Sequence, residues 1–92
     1  MCVVFHFRWI DWNIGKCELH GVDPGEAEEI VNFASRPYPR SIDNNKIMVR
    51  GQTTAGRYLQ VIYLMEPHDT VFVIHTRPLT ENEKRLLRKT RR

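Results

Sequence analysis

Apolar and polar residues alternate at the start of the chain and then adopt helical spacing. In VVFHFRW (residues 3–9) the aromatic residues occupy every second position, which is the period of a β-strand with one wetter face. DWNIGKCELHG follows, and it predicts a short helix that Asp11 caps and that Gly21 ends in the left-handed conformation. The chain is therefore expected to begin with a strand and a helix.

The next segment, VDPGEAEEIVNFAS, has the start signal of a second helix. Asp23 stands at the predicted N-cap, Pro24 takes the first helical position, and Glu26 completes a capping box. An apolar stripe at helical spacing follows, formed by Ala27, Ile30, Val31 and Ala34. We expect this stripe to pack in the core.

The second half of the chain predicts three strands and a final helix. RPYPRSIDNN (residues 36–45) has the prolines and polar cluster of a loop. The strands are KIMVRGQ, then RYLQVIYLM, whose apolar faces suit the centre of a sheet, and then TVFVIHTR. In the last strand we expect Phe72, Ile74 and Thr76 to face the helices. A T-x-x-E capping box at Thr80 opens the basic helix ENEKRLLRKTRR.

The predicted order is β-α-α-β-β-β-α, which defines an α+β fold. The last three strands are expected to form an antiparallel sheet, with two N-terminal helices on one face and a C-terminal basic helix after it. Ninety-two residues suffice for one domain, so we expect a single domain over residues 1–92.

Charge is distributed unevenly along the chain. The net charge is +3, but residues 1–45 carry four basic and seven acidic side chains, whereas residues 46–92 carry ten basic and four acidic ones. This asymmetry indicates an anionic partner for the second half, or else a solvated helix face. The chain has no apolar run long enough to span a membrane and no secretion signal, so no membrane partner and a cytoplasmic location are expected.

The two cysteines raise the question of a metal site. Cys2, His6, Cys17 and His20 form C-x3-H…C-x2-H, residue types that bind zinc. The gap between the two pairs differs from the usual finger pattern, so reduced thiols and surface histidines are the favoured interpretation. We expect neither a metal nor another cofactor.

Three residues from neighbouring predicted strands share the sheet face opposite the helices: Arg50, His75 and Arg77. Guanidinium groups fit phosphate, and histidine can carry a proton near neutral pH. This combination suits metal-independent cleavage of RNA, in which a base removes the proton of a 2′-hydroxyl and cations stabilise the charge that builds up on the phosphate. Solvated arginines, or arginines paired with acids, are the structural alternative.

Two further candidates, Lys16 and His20, are four residues apart and therefore share one face of the first predicted helix. They are interpreted as surface residues or a helix cap, or as residues lining the same groove as Arg50, His75 and Arg77.

Three segments carry a likeness that covers about residues 7–88: WNIGKCELHGVDPGEAEEIV, VRGQTTAGRYLQVIY and VFVIHTRPLTENEKR. Their motifs are W-N-x6-H-G-V, G-x-T-x2-G-R-Y-L and R-x-(L/M)-T-x2-E-K-R. Together they resemble the BrnT family of toxins from type II toxin–antitoxin systems, within the RelE-like superfamily. The likeness departs from the family at Lys16, where histidine is frequent, and at Leu86 and Leu87, where a tyrosine often stands.

The resemblance implies a RelE-like fold and a ribonuclease toxin that blocks translation by cutting mRNA. It also implies a cognate BrnA-like antitoxin that neutralises the toxin and through which alone the pair contacts DNA. The family's functional positions carry over onto Lys16 or His20, onto Arg50 or Arg57, and onto the pair of Arg77 and Glu83.

These arguments lead to a metal-independent endoribonuclease. The expected catalytic residues are Lys16, Arg50, His75, Arg77 and Glu83. The expected RNA-binding residues are His20, Arg57, Lys84, Arg85 and Arg88. The alternative is a non-catalytic module that uses its sheet to dock a protein or that binds RNA without cutting it.

Overall fold

A five-stranded mixed sheet and three helices form an α+β fold in the computed structural model, which describes residues 5–90. The elements in chain order are β1 (His6–Phe7), α1 (Asp11–Leu19), α2 (Pro24–Asn32), β2 (Arg40–Asp43), β3 (Lys46–Gln52), β4 (Tyr58–Glu66), β5 (Thr70–Pro78) and α3 (Glu81–Thr90). The strand order is β1-β5-β4-β3-β2, with β1 parallel to β5 and all other pairs antiparallel. The prediction that the doubly apolar strand lies at the centre is confirmed for β4.

The sheet differs from the predicted one in two respects. The segment predicted as a loop contains β2, so the order is β-α-α-β-β-β-β-α, and the parallel β1 makes the sheet mixed rather than antiparallel. The sequence pattern did not predict strand β2, because all four of its residues are exposed and show no apolar alternation. Asn44 and Asn45, both with positive φ, connect it to β3 as a hairpin turn. Val3 and Val4, predicted in the first strand, lie outside the described residues.

Helix α1 begins at Asp11, so its N-cap lies one residue before the predicted one. The N-cap is Ile10, and the Asn13 side chain accepts its N–H at 2.7 Å while donating to the carbonyl of Arg8 at 2.9 Å. Asp11 is the first helical residue, where its negative charge interacts favourably with the helix dipole. Gly21 has φ +66°, which confirms the predicted left-handed residue after the helix.

Helix α2 has the predicted capping box. Asp23 accepts the N–H of Gly25 at 2.9 Å, and Glu26 accepts the N–H of Asp23 at 3.0 Å. The predicted stripe is confirmed as core for Ala27, Ile30 and Val31, while Ala34 packs at the edge of the core.

The face of β5 that meets α1 and α2 differs from the prediction because of a β-bulge. Ile62 pairs with His75 whereas Tyr63 pairs with Val73, so Ile74 is the extra residue on β5. Val71, Val73 and Thr76 are buried on the side of the two helices, and Phe72 is on the other side. The extra residue shifts the alternation, so His75 and Arg77 still lie on the sheet face opposite the buried core.

Helix α3 packs on the sheet face opposite α1 and α2. Its predicted capping box is present, since Glu83 donates its N–H to the Thr80 hydroxyl at 3.1 Å and accepts the Thr80 N–H at 2.9 Å. Leu79 and Leu87 are buried, and Glu83 contacts side chains of β3 and β5. The helix thereby borders the sheet face that carries His75.

Candidate active site

A row of three polar side chains crosses the middle of the sheet. Arg50 on β3 pairs with Gln60 on β4, and Gln60 pairs with Arg77 on β5. The side-chain carbonyl oxygen of Gln60 accepts hydrogen bonds from both guanidinium groups, at 2.9 Å from Arg50 and 3.3 Å from Arg77. The predicted convergence of the two arginines on one face is confirmed, and Gln60, 5% exposed, fixes their orientation.

The Glu83 carboxylate joins both arginines from α3. It accepts two hydrogen bonds from Arg77, each of 2.8 Å, and one from Arg50 at 3.1 Å. These cations, the bidentate bond with Arg77 first among them, lower the pKa of Glu83 to about 2. At neutral pH this group is therefore an ionised acceptor, and it has no proton to donate.

The two arginines differ in the hydrogen-bonding capacity that they retain. Arg77 makes four hydrogen bonds through its terminal nitrogens, to Pro78, Gln60 and both oxygens of Glu83. Arg50 makes two, so most of its five N–H groups remain for a ligand. Together with Glu83 the pair carries a net charge of +1.

Helix α1 supplies a second row of side chains beside β5. Trp12, Lys16 and His20 follow one another at four-residue spacing and so lie along one face of the helix. The His20 ring meets the His75 ring edge-on, with 5.9 Å between the centroids. No carboxylate within residues 5–90 forms an ion pair with Lys16, His20 or His75, so the positive charge of Lys16 is not compensated there.

The position of His75 gives it the properties of a proton acceptor. Burial lowers the pKa of its imidazole, and electrostatic repulsion from the neighbouring basic side chains His20, Arg77 and Lys16 lowers it further. The imidazole is therefore neutral at pH 7, with a nitrogen lone pair for a substrate proton. The structure thus brings together four side chains that the sequence identified as candidates: Lys16, His20, His75 and Arg77.

The remaining predicted RNA-binding residues occupy two places. Lys84 and Arg88 lie over the Tyr58 ring, each with its charged group 5.8 Å from the centroid, and Arg85 contacts Asn82 on the exposed side of α3. The first two border the site, since Tyr58 lies on the same sheet face two residues from Gln60.

Arg57 does not join this group. Its guanidinium donates to the Gly21 carbonyl at 2.9 Å and to Glu26 at 2.8 Å, on the side of α1 and α2. Both acceptors belong to the connection between the two helices and the start of α2, so Arg57 holds that connection to the sheet. Its place in the structure separates it from the other predicted RNA-binding residues.

Sequence reasoning missed Gln60 and the pairing of Trp12 with Phe72. The signal for Gln60 was present, because it is the polar residue within the apolar strand YLQVIYLM and it aligns with Arg50. The contact between Trp12 and Phe72 depends on how α1 lies against β5, which no local pattern specifies.

Metal ligands do not cluster in the described part of the chain. Within residues 5–90, no group of three His, Cys, Asp or Glu side chains is placed to hold a metal ion. Cys17, one candidate ligand, is buried, and burial raises the pKa of its thiol. Cys2 lies outside the described residues. A cleft of about 80 Å³ between α2 and β3 is lined in part by Arg50, but by neither His20 nor His75.

Comparison with known proteins adds no identification. No family model, curated protein or solved structure matches the chain. Among the described helices, none has the length and apolar character needed to cross a membrane.

Proposed function

We propose that the protein is a metal-independent endoribonuclease. The observation that carries the proposal is a single cluster in which His75, with its lowered pKa, adjoins Arg77, Lys16 and His20. A neutral imidazole beside the Arg77 guanidinium and the Lys16 ammonium, which has no acidic partner among residues 5–90, combines a proton acceptor with a site for a phosphate group. Those are the two requirements for attack of a 2′-hydroxyl on the neighbouring phosphorus.

In the proposed reaction His75 accepts the proton of the 2′-hydroxyl, and the oxygen forms a bond to phosphorus. The bond from phosphorus to the 5′-oxygen breaks, and the Lys16 ammonium supplies the proton that this oxygen takes. The products are a 2′,3′-cyclic phosphate and a 5′-hydroxyl end. Arg50 donates its remaining N–H groups to the phosphate oxygens, while Arg77 acts chiefly through its charge.

Glu83 has a positioning role in this scheme. Its bidentate contact fixes the orientation of Arg77, and at a pKa of about 2 the carboxylate has no proton to donate at neutral pH. For these reasons we propose that Glu83 orients the arginines, in place of the catalytic role that the sequence predicted. Lys84 and Arg88 lie at the border of the site, where their charges attract RNA.

The proposal is tested by incubating the purified protein with single-stranded RNA in the presence of a metal chelator. We expect cleavage to continue with the chelator present and to leave 2′,3′-cyclic phosphate ends. A substrate with one 2′-deoxynucleotide should resist cleavage at that position, because the attacking oxygen is missing. Cleavage at the 2′-deoxy position, or loss of activity with the chelator, would contradict the mechanism.

The resemblance to BrnT toxins supports a biological setting for this activity. We propose a cytoplasmic, RelE-like toxin that cuts mRNA, inhibits translation, and is neutralised by a cognate BrnA-like antitoxin that also provides the contact with DNA. Expression without the antitoxin is then expected to arrest growth, and Arg77→Ala is expected to relieve the arrest while the protein remains folded. Arrest by a folded Arg77→Ala protein would argue against the role of Arg77.

A non-catalytic docking role is the second candidate, and one feature of the sheet favours it. Pairing between β2 and β3 ends at Arg40 and Met48, so the rest of β3 has an open edge. Phe33, 75% exposed, lies near this edge in the cleft between α2 and β3. An open edge beside an exposed aromatic ring suits the addition of a partner strand. Intact RNA after incubation, together with capture of a partner through this edge, would support docking.

A further inference from the structure

An exposed aromatic stack borders the proposed active site. Trp12 on α1 and Phe72 on β5 lie nearly parallel, with an interplanar angle of 10° and 6.0 Å between the ring centroids. Half of the Trp12 surface remains exposed, although tryptophan is among the residues that gain most from burial. Trp9 behaves differently, since it packs against the core and its indole N–H donates to Glu28 at 2.7 Å.

Cations flank both members of the stack. The Arg8 guanidinium lies 4.1 Å from the centroid of the Phe72 ring, and bidentate bonds of 2.9 and 2.8 Å to Glu66 hold it there. The Lys16 ammonium lies 5.2 Å from the centroid of the Trp12 ring. Aromatic rings with adjacent cations are the combination by which proteins bind single-stranded nucleic acids: bases stack on the rings while phosphates meet the charges.

The stack is continuous with the cluster around His75. Trp12 and His20 lie eight residues apart on one face of α1, a distance of about 12 Å, and Lys16 stands between them. Phe72 and His75 lie on one face of β5 because of the bulge. A strand bound at His75 would therefore pass over Lys16 on its way to the aromatic rings.

We propose that Trp12 and Phe72 form a nucleobase-binding subsite for single-stranded RNA. This inference rests on the proposed function and names the part of the site that holds the substrate. The base next to the cleaved bond stacks on the exposed part of Trp12, so that the cleaved phosphate lies at Lys16. Because every base has a π face, the subsite contributes affinity without strong sequence preference.

RNA is favoured over a protein partner as the occupant because of charge. Lys16 lies on the path from the stack to His75, and its ammonium has no acidic partner within residues 5–90. A polyanion that also carries planar bases matches both features of this surface. An apolar protein segment would match the rings alone.

Tryptophan fluorescence reports on this subsite directly, because the chain has only two tryptophans. The Trp9→Phe variant keeps Trp12 as its single tryptophan, and the Trp12→Phe variant keeps Trp9. We titrate each with a single-stranded RNA octamer that is 2′-O-methylated throughout, so that binding is measured without cleavage. Quenching is expected in the Trp9→Phe variant, while the Trp12→Phe variant should show little change.

Affinity for the same octamer provides the second measurement. Trp12→Leu removes the stacking ring and is expected to weaken binding roughly 5- to 100-fold, whereas Trp12→Phe, which keeps a ring, should retain most of the affinity. Circular dichroism establishes that each variant is folded. If Trp12→Leu is unfolded, the fluorescence titration decides the matter: a Trp9→Phe protein that binds the octamer without quenching overturns the subsite.

The outcomes separate this inference from the proposed function. Wild-type affinity in folded Trp12→Leu, with RNA still cleaved by wild type, overturns the subsite and leaves the ribonuclease intact. Absence of both binding and cleavage in wild type overturns both. Loss of binding to a protein partner in Trp12→Leu, with RNA affinity unchanged, assigns the stack to that partner and likewise overturns the subsite.

Discussion

At the scale of single residues, the site depends on which charges are neutralised and which are not. Glu83 offsets part of the charge of Arg50 and Arg77 and fixes their geometry. Lys16, near His75, has no such counterpart within residues 5–90. Burial and repulsion from the neighbouring basic side chains lower the pKa of the His75 imidazole, which suits it to act as a base.

Glu83→Gln is expected to lower the stability of the fold at neutral pH. A carboxyl pKa of about 4.5 when unfolded and about 2 when folded corresponds to stabilisation of up to about 3 kcal/mol. Because the folded pKa is the lower one, this stabilisation is present above pH 5 and is lost as the pH falls toward 2. Urea unfolding at several pH values should therefore show a difference between wild type and variant that shrinks on acidification.

Glu81→Gln is the matched control, because it makes the same substitution on the same helix at an exposed position paired with Lys84. Little change in stability is expected there. A Glu83→Gln protein as stable as Glu81→Gln at pH 7 would show that the contacts of Glu83 with the arginines contribute no net stability.

At the scale of elements, local patterns predicted what local interactions determine. The capping box at Asp23, the turn at Gly21 and the apolar strand β4 were predicted because neighbouring residues specify them. Strand β2 was missed because its stability comes from pairing with β3 and not from an apolar face. The alternation of apolar and polar residues along β5 could not predict the bulge at Ile74, because the bulge arises from pairing with β4.

The candidate site likewise combines features that local patterns predict with features that depend on tertiary packing. Arg50 and Arg77 were placed together because strand alternation brings them to one face. Glu83 was identified through the family resemblance, but its contact with both arginines requires the tertiary position of α3. The approach of His20 to His75 likewise requires α1 to lie beside β5, which depends on packing and not on spacing.

Two glycines of the α1 region should respond in opposite directions to alanine. Gly15 lies inside the helix with open space where a Cβ would stand, so Gly15→Ala is expected to stabilise the protein by about 0.5–1 kcal/mol. Gly21 has φ +66°, where alanine is strained, so Gly21→Ala is expected to destabilise it by about 1 kcal/mol. Denaturant unfolding measures both, and each variant is the control for the other.

If Gly21→Ala is as stable as wild type, the turn after α1 accepts a backbone conformation other than the left-handed one. If Gly15→Ala destabilises, the helix tolerates no side chain at that position.

At the scale of the whole molecule, the sheet separates two surfaces with different tasks. Helices α1 and α2 bury one face and form the core with β3, β4 and β5. The other face carries the polar row, bordered by α3 on one side and by the exposed residues of α1 on the other. The acidic first half of the chain thus supplies most of the packing helices. The basic second half supplies most of the site, with Lys16 and His20 contributed by α1.

The central claim, that a neutral His75 is the base for RNA cleavage, is tested most directly by the pH dependence of kcat/KM for wild type, His75→Ala and His6→Ala under chelating conditions. His6 is an exposed histidine on β1 and serves as the matched control. The account predicts that kcat/KM of wild type and of His6→Ala rises with pH through a value below 6.5 and levels off near pH 7. For His75→Ala it predicts that kcat/KM falls by about 10²- to 10⁴-fold and that this rise with pH disappears. A folded His75→Ala protein that cleaves RNA at the wild-type rate, with the same pH profile, would contradict it.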